Sequence, residues 1–269
     1  MKYLSLLLFT AIAFSCTESE KDPEPVEMDE SAVIEGTFEE EEEVEVIEEA
    51  DLLPPLDKNK DYSVDILQTG IVDDVEGIDL ESEWWGLFEK DGQWRIEKTF
   101  LTINKVHNPM LDAEGEVTAN EIITDVEDEC LVLWSDLDFL EEGEIEHVEI
   151  PQKKVYPGET VTFEFYDDTY KLTGQGDKDE YGGIENYFLL LERKYNGVNT
   201  GTFISDQPFF DDTMTEILFI GDIDGDEIVD LVLDDSPKYS YSHIVLFLSR
   251  PAFYEIPPKK IGEKSFFGC

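Results

Sequence analysis

Positive charge is scarce in this chain: 19 Lys and Arg stand against 66 Asp and Glu in 269 residues, a formal net charge of −47. Neutralising phosphates takes Lys and Arg, so this composition excludes a nucleic-acid-binding role. It also disfavours a direct hold on anionic lipid headgroups. Histidine is nearly as rare, with His107, His147 and His243 in separate segments. No His-Glu-x-x-His zinc motif, Gly-x-Ser-x-Gly elbow or glycine-rich phosphate loop occurs. Those gaps remove the commonest catalytic constellations, and the expectation is a protein that is not an enzyme. A hydrolase working through an acidic pair stays as an alternative, because so many carboxylates hide any such pair. No apolar run approaches the roughly 20 residues that cross a bilayer as a helix.

Cysteine is limited to three residues, and each has a different setting. Cys16 directly follows a short apolar run, Leu4 to Phe14, that is preceded by Lys2. That is the layout of a secretion signal, here residues 1–15. Ala13-Phe14-Ser15-Cys16 resembles a bacterial lipobox, which implies cleavage before Cys16 and its lipidation. The acidic Thr17-Glu-Ser-Glu-Lys-Asp22 that follows is similar to the export tag of surface lipoproteins of Bacteroidota. The expectation is an exported protein held at the outer membrane or cell surface through its lipid alone. An oxidising compartment permits disulfides, and Cys130 with Cys269 is the one pair left. Two separate thiols are the alternative.

Residues 17–57 carry 18 acids and one lysine, including the run Glu39 to Glu43. Like-charge repulsion extends such a segment, so 16–57 reads as a lipidated cysteine and a disordered tether. From about residue 58 the pattern changes. Asp91-Gly92 and Asn196-Gly197 each sit between apolar-rich runs, which is a hairpin signal. Residues 130–134, 161–165, 217–220, 231–233 and 244–248 read as further strands, and residues near Leu137 to Glu146 as a short helix. Residues 58–269 are therefore expected to form a mainly β domain, an antiparallel sandwich or two packed sheets with few short helices. A division near Pro151 is open. Trp84, Trp85, Trp94 and Trp134 read as core residues, with a carbohydrate platform as the alternative.

The most specific stretch is Asp222-Ile-Asp-Gly-Asp-Glu-Ile-Val-Asp230. Carboxylates at relative positions 1, 3, 5 and 9 have the spacing of a calcium-binding loop. Alternation in a compact loop points Asp222, Asp224 and Asp226 at one centre. The Ile228 carbonyl would add a fourth oxygen, and Asp230 a fifth, directly or through water. Without a cation, such carboxylates repel and raise one another's pKa values. Gly225 supplies the turn. Two departures exclude an EF-hand: Glu227 occupies the position that favours glycine, and Leu233 the position of the bidentate Glu. Apolar runs on both sides place the loop between two strands.

Ile217 to Asp234 resembles the Gly-Asp-Leu-Asp-Gly-Asp-Gly-Lys-x-Asp-Leu segment of FG-GAP and related calcium repeats. It is more similar still to the C-terminal part of a family of exported bacterial lipoproteins of Bacteroidota type. Ser236, Tyr239 or Tyr241, Leu246-Phe-Leu-Ser249 and the final Gly268-Cys269 match that family's pattern. Trp84-Trp-Gly-Leu-Phe with Gly92-Gln-Trp94, and Pro157-Gly-Glu-Thr-Val161, fit it more loosely. The resemblance implies one calcium turn in a single domain, with affinity weakened by Glu227, and carries no catalytic activity. The function expected is a non-catalytic cell-envelope lipoprotein with a structural Ca²⁺ turn. A surface adhesion module for a protein or glycan is the alternative from another class.

Overall fold

The computed structural model describes residues 53–54, 56–72, 75–108, 112–135, 137–195, 197–252 and 258–267. The signal segment, Cys16, most of the tether and Cys269 lie outside the described residues. Within them the chain is strand after strand. In order these are β1 Ile66–Leu67, β2 Gly70–Val72, β3 Trp84–Lys90, β4 Gln93–Thr99, β5 Leu101–Val106, β6 Ala119–Thr124, β7 Glu129–Trp134 and β8 Gly143–Glu144. They continue with β9 Thr160–Phe165, β10 Asp168–Lys178, β11 Ile184–Tyr195, β12 Val198–Phe210, β13 Glu216–Gly221, β14 Asp230–Asp234, β15 Tyr241–Leu248 and β16 Lys259–Phe267. Four sheets result, with orders β1-β7-β3-β4-β8, β2-β6-β5, β12-β11-β10-β9 and β13-β14-β15-β16. The strand ladders within them are antiparallel. The mainly β expectation holds.

The β13–β16 sheet occupies the middle layer. Leu231, Leu233, Val245 and Phe247 join the core shared with β9–β12. The alternate residues Val232, Ile244, Leu246 and Leu248 join the core shared with β3, β4 and β7. Successive side chains of a strand point to opposite faces. A strand with a core on each face must therefore be apolar throughout, and the runs 231–233 and 244–248 are. Residues Leu52–Cys269 form one compact unit. The Pro151 region is stitched into it: Ile150 and Val155 belong to the β9–β12 core, and the Tyr187 hydroxyl donates to the Val155 carbonyl at 2.6 Å. The unit also takes in Leu56, which packs against the other core.

Local turn chemistry follows the sequence. Asp91 (φ 53°) and Gly92 (φ 81°) join β3 to β4 with Lys90 opposite Gln93. Two consecutive positive φ values define the turn whose twist suits a two-residue hairpin. The short helix expected over 137–146 is absent. That segment is a turn followed by β8, whose Gly143 and Glu144 pair with Ile96 and Arg95 of β4. Four glutamates, at 141, 142, 144 and 146, with Gly143 among them oppose a helix there. The described residues contain a single 3₁₀ turn, Arg250–Ala252. Trp84, Trp85 and Trp134 are buried, and half-buried Trp94 packs edge-on against Phe219 with centroids 5.1 Å apart. They are core residues and form no exposed platform.

Candidate metal centre

Residues 222–229 connect β13 to β14 in the middle layer, where Gly221 lies opposite Asp230. The loop's start is pinned from outside. His147 bridges to Gly221, and the Asp222 amide donates to the Glu146 carbonyl at 2.9 Å. A Cβ on Gly221 would stand 2.5 Å from that carbonyl, so the approach requires glycine. Inside the loop, Gly225 (φ 77°) and Glu227 (φ 64°) take the left-handed conformation. Glycine does so freely, whereas Glu227 does so at a cost.

Asp222 organises the loop backbone. Its Oδ1 accepts the amides of Gly225 (2.7 Å) and Asp226 (2.9 Å), and its Oδ2 accepts that of Glu227 (3.0 Å). Asp224, Asp226 and Asp222 each bring a carboxylate oxygen within 4.8 Å of the others. Asp224 Oδ2 accepts the Arg250 amide at 3.0 Å. Asp226 Oδ1 accepts the Ile228 amide (3.0 Å) and the Ser249 hydroxyl (2.8 Å). Its other oxygen, Oδ2, is buried without a hydrogen-bond partner.

Asp230 stands apart from that group of three. It is fully buried beneath the loop. Its Oδ2 accepts the amides of Ile223 (2.6 Å) and Asp224 (3.1 Å), and its Oδ1 that of Ser249 (2.6 Å). With three backbone donors on it, Asp230 braces the loop floor. Ile228 is buried in the loop, and its amide serves Asp226.

Burial is the first cause of raised pKa values at all four aspartates. Asp226 is pushed up to about 6. Asp224 rises well above the ordinary carboxylate range through burial and then the neighbouring charge of Asp226. Asp230 does so through burial and then the charges of Asp224, Asp226 and Asp222. Asp222 rises through burial, partly offset by its three amide donors. Among the described residues, no Lys, Arg or His forms an ion pair with any of these four carboxylates.

The donor set fits a hard cation. Three carboxylates and the Ser249 hydroxyl offer only oxygen, the element Ca²⁺ and Mg²⁺ prefer. Among the described residues, Asp226 Oδ2 has no hydrogen-bond partner in the geometry of the loop. One side of the loop opens on a cavity of about 750 Å³, with Asp138, Glu141, Glu144 and Glu146 on its walls beside Asp222 and Asp224. Lys60 and Arg250 line it as well, and Lys60 pairs with Asp138 at 2.9 Å, so acids outnumber bases there without being alone. Tyr166, also at this cavity, turns β9 into β10 at φ 46°, and its hydroxyl is held above its ordinary pKa by burial and then by Asp222 and Glu146.

Sequence spacing locates the loop but not the residues just past β15 that clamp it, Ser249 and Arg250. Ser249 belongs to the stretch that resembles the exported family, which gives it no role, and Arg250 has no motif around it. The Arg250 guanidinium reaches the carbonyls of Pro54 (2.7 Å) and Phe139 (3.3 Å), tying the loop's surroundings to the start of the described chain. Cys130 is a free thiol in the structure, packed against the core of Leu67, Trp84, Leu101, Ile122 and Leu133 and pushed up to about 12 by burial. Its expected partner Cys269 lies outside the described residues. Against protein-family models, curated proteins and solved structures, the chain finds no match.

Proposed function

We propose that this chain is a non-catalytic cell-envelope lipoprotein whose Asp222–Asp226 turn holds a structural Ca²⁺. The observation that carries the metal is Asp226 Oδ2, buried and partnerless among three crowded carboxylates. Asp222, Asp224 and Asp226 would bind the ion, with Ser249 beside them. The ion would supply positive charge where the protein has buried only negative charge. It would then lock β13, β14 and the end of β15 together in the middle layer. Export, lipidation of Cys16 and a bridge between Cys130 and Cys269 belong to the same reading and rest on the sequence.

The test is a thermal melt of the full chain in chelator and in Ca²⁺. At a ligand concentration of about 100 Kd, binding to the folded state alone adds about 2.7 kcal/mol. For a domain of this size that raises Tm by on the order of 5–10 °C. The shift is expected to vanish in Asp224→Asn. Equal melting temperatures of the wild type in chelator and saturating Ca²⁺ would sink the proposal.

The acid-walled cavity favours a second reading, a surface module for a cationic protein partner. The burial of Trp84, Trp85 and Trp134 removes the aromatic platform on which a glycan-binding version leaned.

A further inference from the structure

Strand β12 is thirteen residues long and lies at the edge of its sheet, paired on one side with β11. An edge strand presents unpaired amides and carbonyls, and proteins guard such edges with charge, proline or covering segments. The other edges here are guarded. Residues 146–148 cover β13 through the Val148 amide on Ile220 and the His147 bridge to Gly221. Val64 bonds to Ile261 of β16. Edge strands β9 and β5 carry Glu164 and Lys105.

The first half of β12 has none of these devices. Among the described residues, Val198–Phe203 makes no backbone hydrogen bond on its free side. Tyr195 to Ser205 contains no charged side chain in a chain where 32% of residues are charged. Val198 and Phe203 are 62% and 58% exposed. Phe203 and Phe188 of β11 meet with tilted rings, centroids 5.6 Å apart and planes at 58°. Two charges on the adjacent strand are paired within the sheet, Arg193 with Asp168 at 2.5 Å and Glu192 with Lys171 at 3.1 Å.

We infer that β12 is the interface through which two copies of this chain pair edge to edge, joining two four-stranded sheets into one antiparallel eight-stranded sheet. The obstacle to any self-association is a net charge of −47 on each copy. Six uncharged strand residues ahead of the bulge at Ile204, Val198 to Phe203, span about 20 Å at roughly 3.4 Å each, while the Debye length is about 8 Å at physiological salt. The edge is therefore a strip on which like-charged bodies meet with their acids largely screened. It is also self-complementary. A two-fold axis through Gly201 sets Thr200 opposite Thr202, a favourable cross-strand pair, and lays Asn199 against Phe203. The same rotation turns the Lys194 end of each copy toward Asp206 of the other.

Sedimentation velocity of the full chain tests this at about 50 mM and about 500 mM salt, where Debye lengths are roughly 14 and 4 Å. A dimer is expected that tightens roughly tenfold at the higher salt. Phe203→Lys and Asn199→Lys should each yield monomer at both salts while keeping the wild-type far-UV circular dichroism. A wild type that stays monomeric at about 100 µM in high salt overturns the inference, since a micromolar dimer would be populated there. So does a dimer that both lysine variants retain, or one that falls apart as salt rises, which would mark a charge-paired contact elsewhere.

Discussion

Asp230 Oδ1 accepts the amide of Ser249 at 2.6 Å, across a sequence separation of nineteen. With the Ile223 and Asp224 amides on its other oxygen, this carboxylate fastens the loop's near end to the end of β15. Asp230 and Asp226 thus have different jobs, and substitution separates them. Asp230→Ala leaves three buried amides without an acceptor. At about 1–3 kcal/mol per stranded group, less the relief of one buried charge, the expected loss is on the order of 3 kcal/mol. It should appear in urea titrations in chelator and in Ca²⁺ alike. Asp226→Asn keeps an oxygen for Ser249 and Ile228 and removes a repelled charge. In chelator at pH 8 it should be as stable as the wild type or more so, and the Ca²⁺ gain should be lost. If Asp230→Ala were harmless in chelator, the brace would be refuted.

Raised carboxylate pKa values give the metal-free protein a pH dependence of definite sign. Asp222, Asp224, Asp226 and Asp230 titrate above the unfolded value of about 3.9, with Asp226 near 6. Between about pH 4 and the folded values, the native state binds more protons than the unfolded state. Stability in chelator therefore falls as pH rises through that window. Asp61, Asp79, Asp112, Asp125, Asp128 and Asp138 are lowered, each chiefly by a side-chain hydrogen bond. Their contribution is lost only as pH drops below the ordinary carboxylate range, so it is constant above pH 5. The chelated protein should melt higher at pH 5 than at pH 8. The increment from Ca²⁺, which needs ionised carboxylates, should run the other way. Relief of general self-repulsion at low pH has the same sign as the first effect. Asp224→Asn tells them apart, because only the loop's share of the slope shrinks in it.

Much of the fold was legible. Asp91-Gly92 marked its hairpin because two positive φ values in a row demand such residues, and Leu231–Leu233 marked a strand by being short, apolar and bounded by acids. Periodicity could not say that this strand has a core on each face, since a continuous apolar run carries no alternation to read. The 137–146 segment misled because Leu137, Leu140 and Ile145 fall near helical spacing, while its contact with β4 is a long-range fact. At the loop, spacing names every oxygen at positions 1, 3, 5 and 9 alike. Hydrogen bonding is what divides Asp226, with a partnerless oxygen, from Asp230, whose oxygens face amides. Ser249 and Arg250 lie just past the end of β15, 19–26 residues away, so no local pattern announces them.

Glu227 is the loop's one evident concession. It sits at φ 64° with its side chain exposed and its amide on Asp222 Oδ2 at 3.0 Å. Left-handed backbone costs an L-residue roughly 1–2 kcal/mol, and replacing it with glycine costs about 0.5–1 kcal/mol in unfolded-state entropy. Relief exceeds cost, so Glu227→Gly should stabilise the chelated protein by up to about 1 kcal/mol. The amide bond to Asp222 survives, because it belongs to the backbone. The turn is left-handed without the ion, so the relief is shared by the free and bound states, and Ca²⁺ affinity is expected to stay within about twofold of wild type. Calorimetric titration of wild type and variant at pH 8 measures it. A variant that binds Ca²⁺ more weakly would show that the Glu227 carboxylate, exposed at the loop's rim, contributes to holding the ion, and that its conformation is tolerated for that reason.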